Sequence, residues 1–207
     1  MNHRSRSRAA VQPRLRARLR ELTADVILEA AERAFAEQGP AAGMDAIATR
    51  AGVAVGTLYN HFQDRDSLVD ALLEARSTVL LDRMQRAIAE SQGQALRARL
   101  VYVLEAVVAH TSPNARFRQV FLQAELRRPR KRAIVERMRA ALSPLFEQGQ
   151  HDGQLRSDPD GLQAAFLLGL LHTALVASFD APELLPRERI AALVVDQFLD
   201  GVRVHGA

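Results

Sequence analysis

The sequence contains no cysteine, which excludes a disulfide framework, thiolate zinc sites and a cysteine nucleophile, and makes a reducing compartment such as a cytoplasm the expected home. Histidine offers no substitute ligand set. The residues at 3, 61, 110, 151, 172 and 205 never stand three or four apart, so no two share a helical face. No metal, cofactor or catalytic residue is expected. Strand signals are nearly absent too: no hairpin dipeptide separates alternating runs, and apolar residues recur at three and four. The longest apolar run, Ala164 to Phe179, is shorter than a membrane span and carries His172, Thr173 and Ser178. No apolar stretch follows the N-terminal arginines as a secretory signal requires. These absences predict an all-α, soluble, cytoplasmic protein without a membrane partner, its 207 residues enough for one domain or two small ones.

Charge is present but lopsided. Residues 1–23 hold seven arginines, at 4, 6, 8, 14, 16, 18 and 20, against Glu21, a balance of +6. The remaining residues hold 21 basic against 23 acidic groups, a balance of −2. An arginine-dense arm on a near-neutral body points to a polyanion, because each phosphate neutralised releases a counterion; a solvated tail is the other reading of the same composition.

Helix signals organise the rest. Thr23 is the expected N-cap of a first helix with Asp25 in its first turn, a Leu22 to Ile27 staple, an apolar face through Val26, Ala30, Ala34, Ile27, Ala31 and Phe35, and Gly39 at its end. The spacing of Leu15, Leu19, Leu22 and Val26 after Pro13 also allows an earlier start. Short helices follow over Met44–Ala51 and Val55–His61, and a longer one opens near Asp64. These short elements need a shared core, built from Ile27, Ala31, Phe35, Ile47, Val53, Leu58, Phe62 and Leu68. Further helices are expected over Gly93 to Thr111, Ala115 to Arg127, Arg130 to Gln150, Pro159 to Phe179 with Asp158 as cap, and Arg187 to Val204. Pro113, Pro129, Pro159 and Pro186 punctuate them, and Pro144 should bend its helix. No Gly/Ser-rich linker divides the chain.

The stretch "AGVAVGTLYNHF", Ala51 to Phe62, carries the function. Gly52 sits where a left-handed residue ends one helix, Val53 turns inward, and a new helix starts at Val55, which is a helix-turn-helix. Leu58 and Phe62, four apart, point into the core. Val55, Gly56, Thr57, Tyr59, Asn60 and His61 are left outside as groups that could meet DNA: Gly56 by close backbone approach, Thr57 and Tyr59 by hydroxyls, Asn60 by a base edge, His61 by phosphate.

Over about Thr23 to Ala71, "ILEAAERAFAEQG", "MDAIATRAGVAVGTLYNHF" and "QDRDSLVDAL" resemble the TetR family of bacterial transcriptional regulators. The resemblance implies that Val55–His61 is the recognition helix. Tyr59, His61 and Arg65 then match phosphate-contacting positions, with Arg65 in place of the commoner lysine, and Val55, Gly56, Thr57 and Asn60 match positions facing bases or adjoining phosphates. Two positions depart from the pattern: Ala54 replaces a serine cap and Gly43 replaces Thr or Ser before the Met44 helix. Arg14, Arg16, Arg18 and Arg20 of the arm are expected to compensate through phosphate contacts. The implied organisation is a basic arm at 1–20, a three-helix DNA-binding domain at 21–70, and a helical effector-binding and dimerisation domain at 71–207.

The C-terminal half says less. Arg116 to Arg139 is strongly basic, including "RRPRKR" at 127–132, read either as an anion site or as a solvated connection at Pro129. The helices at 159–179 and 187–204 carry more apolar surface than one chain can bury, which predicts a homodimer through a four-helix interface; the resemblance implies the same two-fold arrangement on a palindromic double-stranded DNA operator. It also implies a pocket for a small-molecule effector, with candidates Leu100, Leu104, Val108, Phe117, Phe121, Met138, Phe146 and His172, most of which also fit plain core. "GQLRSDPD", Gly153 to Asp160, resembles a frequent connection before the family's dimer helices. The expected function is a sequence-specific, ligand-released repressor. The alternatives are a nonspecific DNA-binding or adaptor protein and, with no Gly-x-Ser-x-Gly, phosphate loop or His-Glu-x-x-His present, an all-helical enzyme.

Overall fold

In the computed structural model the described residues are 4–111, 120 and 129–202, with side chains described from Arg14 onward. They form eight α-helices and no strand: α1 (Arg4–Gln38), α2 (Met44–Ala51), α3 (Val55–His61), α4 (Arg65–Glu90), α5 (Leu96–His110), α6 (Pro129–His151), α7 (Gln163–Asp180) and α8 (Arg187–Val202). A 3-10 turn, Gly39–Ala41, follows α1. The expected helix over 115–127, with Phe117 and Phe121, lies outside the described residues, as do the side chains at 127–131 of the basic segment.

Two compact units result. One takes the described residues to Leu73 together with Val120; the other takes the rest from Glu74, so α4 supplies residues to both. The first unit closes on Ile27, Ala31, Phe35, Ile47, Leu58, Phe62 and Leu68, all buried, with Val53 partly buried against them. The second closes on Leu100, Leu104, Leu142, Leu145, Leu167, Ile190 and Val195. Edge-to-face packing of Phe146 on Phe198, 5.6 Å between centroids, joins α6 to α8. On the surface, Arg97 of α5 grips Asp196 of α8 through two hydrogen bonds of 2.6 and 2.9 Å. Arg187, at the start of α8, donates to the Thr111 carbonyl at the end of α5, 2.9 Å away. A cation there suits the negative end of the helix dipole.

Three boundary expectations are corrected. Helix α1 does not begin at Thr23: it runs from Arg4, and the Thr23 hydroxyl donates to the Leu19 carbonyl one turn back, 2.8 Å away. The Arg, Ala and Leu of the arm are good helix formers, and a threonine that bonds backward sits within a helix without capping it. With no chain reversal there, Leu22 cannot staple to Ile27; Leu22 and Val26 are exposed. Helix α7 does not begin at Pro159 but at Gln163, because Gly161 takes φ +64° and breaks the helical path. Asp158 still receives two backbone N–H groups, from Leu162 at 2.9 Å and Gln163 at 2.8 Å. Helix α5 opens at Leu96, after Gly93 at φ +81° has closed the preceding turn.

Candidate nucleic-acid interface

The turn between α2 and α3 is fixed by backbone hydrogen bonding. Gly52 adopts φ +67°, ψ +27°, its N–H bonds the Thr49 carbonyl, and the Val53 N–H reaches back to the Ala48 carbonyl at 3.1 Å. Those two bonds satisfy carbonyls that a helix end leaves open, and the left-handed residue they require is the glycine. Chain direction is thereby set for α3, whose seven residues could not hold together alone. Leu58 is fully buried and Phe62 nearly so, and they pin α3 to Ile47, Phe35 and Leu68.

With that face inward, Val55, Gly56, Tyr59 and Asn60 are exposed and Thr57 and His61 half-buried. Beyond the adjoining backbone of α3 no atom lies within 4 Å of where a Gly56 Cβ would sit, so the missing side chain leaves open space on the outer surface of α3. The absence of caps is visible: neither Gly43 before α2 nor Ala54 before α3 makes a side-chain cap bond. Ala54 supports α3 only through its carbonyl, which accepts from Thr57 N at 2.8 Å and Leu58 N at 3.2 Å.

Arginines frame this surface, each held differently. Arg65 is half-buried; its Nη2 donates to the Pro40 carbonyl at 3.0 Å and its guanidinium lies over the Phe35 ring, 5.2 Å from the centroid. Any phosphate contact from Arg65 must use its remaining N–H groups. Arg50 of α2 makes a two-point pair with Glu37 of α1, one arm at 2.8 Å. Arg20 lies 3.5 Å from the Asn60 carbonyl, bringing the arm to the end of α3. Arg20 and Arg16 continue, one and two turns earlier, the row of Ala24, Ile27 and Ala31 that packs into the core. Arg14 and Arg18 are also exposed but project from other sides of α1. The reach of Arg20 to Asn60, forty positions apart in sequence, had no sequence signal beyond the arm's charge. The Arg50–Glu37 pair was missed altogether.

A family model described as bacterial regulatory proteins, tetR family, matches residues 27–72, the stretch that builds α2, the turn and α3. Over that stretch the chain is similar to the TetR family. An uncharacterized HTH-type transcriptional regulator of Mycobacterium tuberculosis is 47% identical over 70 residues, 33% of this chain and 34% of that protein. The chain thus spans about a third of the length of the first curated relatives it matches. The HTH-type transcriptional regulator UidR of Escherichia coli is 28% identical over 168 residues, 76% of this chain and 82% of UidR. Among solved structures, SmeT, the repressor of the Stenotrophomonas maltophilia multidrug efflux pump SmeDEF, superposes with a TM-score of 0.67 at 24% identity, covering 88% of this chain and 91% of SmeT. That likeness is one of fold.

The second unit holds the remaining candidates. Leu100, Leu104, Val108 and Phe146 are buried, and Met138 packs against the same cluster. His172 is corrected: it is exposed, because α7 turns Ala164, Leu167, Leu168 and Leu171 inward and the next residue falls outside. A different histidine occupies a partly buried position. His110 donates from Nε2 to the Arg76 carbonyl at 3.2 Å; burial, then the charge of Arg76, hold its imidazole below the ordinary histidine range despite that bond, with Arg83 adding to the depression. In the basic segment, Arg137 bonds Ser77 at 2.9 Å and pairs with Glu74, and Arg139 pairs with Glu136. Among the described residues no cluster of three or more His, Asp or Glu could hold a metal, and no helix is long and apolar enough to cross a membrane.

Proposed function

We propose that the chain is a sequence-specific DNA-binding transcriptional regulator, a homodimeric repressor released from a palindromic operator by a small molecule. The carrying observation is the left-handed Gly52 turn that anchors α3 through Leu58 and Phe62 and leaves Val55, Gly56, Tyr59 and Asn60 outward. In this reading Val55, Gly56, Thr57 and Asn60 meet base edges or adjoining phosphates, while Tyr59, His61 and Arg65, with Arg14, Arg16, Arg18 and Arg20, meet the backbone. Such a protein works where the DNA is, in the cytoplasm.

Dimerisation is supported by apolar side chains left outside on the last two helices: Phe166 and Leu170, one turn apart on α7, and Leu193 on α8 are exposed. A second copy covers them as the other half of a four-helix interface. SmeT is also known as a triclosan complex, which supports an effector site here, with Leu100, Leu104, Val108, Met138 and Phe146 as its candidate walls. A ligand relieves repression to the extent that it binds the non-reading state more tightly.

Selection of bound sequences from a random double-stranded pool tests the reading. A two-fold symmetric consensus with half-sites about one turn, ~34 Å, apart or somewhat more is expected. Recovery without any consensus would make the protein a nonspecific binder. Screening compounds for release of the best sequence then identifies the effector.

A further inference from the structure

Helix α1 carries a second, unpartnered face. Leu15, Leu19, Leu22 and Val26 are 56%, 54%, 51% and 47% exposed, against 0% for Ile27 and Ala31 on the packed side. Their spacing of four, three and four is that of a coiled-coil seam, which keeps all four within a wedge of about 60° on a helix of 3.6 residues per turn. On such a seam Arg18 and Asp25 occupy equivalent flanking positions next to the apolar row. Both are exposed, and neither enters an ion pair among the described residues.

We propose that this seam is an interface between two copies of the chain, α1 packing antiparallel on α1 of the second copy. The flanking charges select both the occupant and the direction. Antiparallel pairing centred between Leu19 and Leu22 sets Leu15 opposite Val26 of the other copy and Leu19 opposite Leu22. It brings Arg18 beside Asp25 of the other copy, and by symmetry Asp25 beside Arg18. Parallel pairing would set Arg18 against Thr23, whose hydroxyl is already bonded to the Leu19 carbonyl, and leave Asp25 without a basic partner. The seam spans roughly 17 Å at 1.5 Å per residue, a short contact that holds best when the two copies are already neighbours. It is separate from the α7 and α8 faces, and while it is formed Arg18 pairs with Asp25 of the second copy, leaving Arg14, Arg16 and Arg20 of the arm for phosphate.

The chain's lack of cysteine makes crosslinking the direct test. Leu15→Cys and Val26→Cys variants of the full chain, treated with a short bismaleimide alone and mixed, should link only in the mixture. Antiparallel pairing leaves like positions about 16 Å apart along the axis. Links in either variant alone, or none in the mixture, would overturn the proposal. Arg18→Asp or Asp25→Arg, each placed in both crosslinking variants, should abolish the link, and the double exchange should restore it. Failure of that rescue counts against the assigned direction. Vesicles of phosphatidylglycerol check the competing use of a basic amphipathic helix. Vesicle binding lost on Leu19→Gln/Leu22→Gln, together with no crosslink in the mixture, would assign the face to lipid and sink the proposal. All these side chains are exposed, so the variants test the interface and leave the fold intact.

Discussion

The guanidinium of Arg65 lies over the ring of Phe35, 5.2 Å from its centroid, while its Nη2 bonds the Pro40 carbonyl at 3.0 Å. One side chain thus ties the start of α4 to the end of α1 and the turn after it. Arg65→Ala should cost about 1–2 kcal/mol, the range of a cation over an aromatic face with a charge-assisted bond, and Arg65→Lys should recover only part because it lacks the planar fork. Denaturant unfolding measures this. If the remaining N–H groups also hold a phosphate, the salt slope of DNA binding falls by ~0.9 in Arg65→Ala; an unchanged slope assigns the residue to architecture alone.

Gly56 separates stability from recognition. A Cβ there meets nothing within 4 Å beyond the adjoining backbone of α3, and alanine is preferred over glycine in a helix interior by up to about 1 kcal/mol. Gly56→Ala should therefore raise the thermal midpoint while weakening operator binding, since the added methyl occupies space open only to the ligand. Parallel thermal melts and fluorescence anisotropy decide it; equal or tighter DNA binding would remove Gly56 from the contact surface.

Ala54 offers the converse experiment. It caps α3 with no side-chain bond, and its φ −65°, ψ 145° already suit a capping residue. Ala54→Ser should stabilise the chain by about 1 kcal/mol and tighten DNA binding through a hydroxyl free to reach phosphate. A gain in stability with no gain in affinity would place that residue away from the backbone of the DNA.

Much of this site was legible from sequence because its signals are local. The bounds of α2 and α3 follow from Gly52, which alone tolerates the left-handed turn, and from the spacing of Ile47, Leu58 and Phe62. What was not legible depends on tertiary choice. The start of α1 was left open between Thr23 and the stretch after Pro13 because Thr23 has two hydrogen-bonding options; the structure shows that it bonds backward to Leu19 and that the helix runs from Arg4. His172 was misplaced because α7 is apolar nearly all round, so composition does not say which side faces the core. The inward turn of Arg65 depends on Pro40 and Phe35, 25 and 30 positions away, and the resemblance that matched Arg65 to a phosphate-contacting position says nothing of either.

His110 makes stability sensitive to mild acid. Its imidazole is held below the ordinary range, first by burial and then by the charge of Arg76, so the unfolded chain takes up a proton at a pH where the folded chain does not. The stabilisation is complete above the unfolded value of about 6.5 and is lost as pH falls from there through the depressed folded value. Thermal midpoints measured between neutral and acid pH should fall across that window, and His110→Gln should flatten the fall. A slope unchanged by the substitution would mean that other groups carry it.

The arm's contribution to DNA binding is testable without deleting it, which matters because α1 is continuous from Arg4 and truncation would shorten a helix that also builds the core. Arg20 reaches the Asn60 carbonyl at the end of α3, and Arg16 sits one turn further out on the same side. Arg16→Gln/Arg20→Gln keeps helix-forming side chains and removes two charges. If both meet phosphates, the slope of log affinity against log salt should fall by ~1.8, from ~0.9 per phosphate. The loss of affinity should be uniform across operator and random DNA, because backbone contacts carry no sequence information. A loss confined to the operator would instead mean that Arg20 acts by positioning α3, through the Asn60 carbonyl it touches.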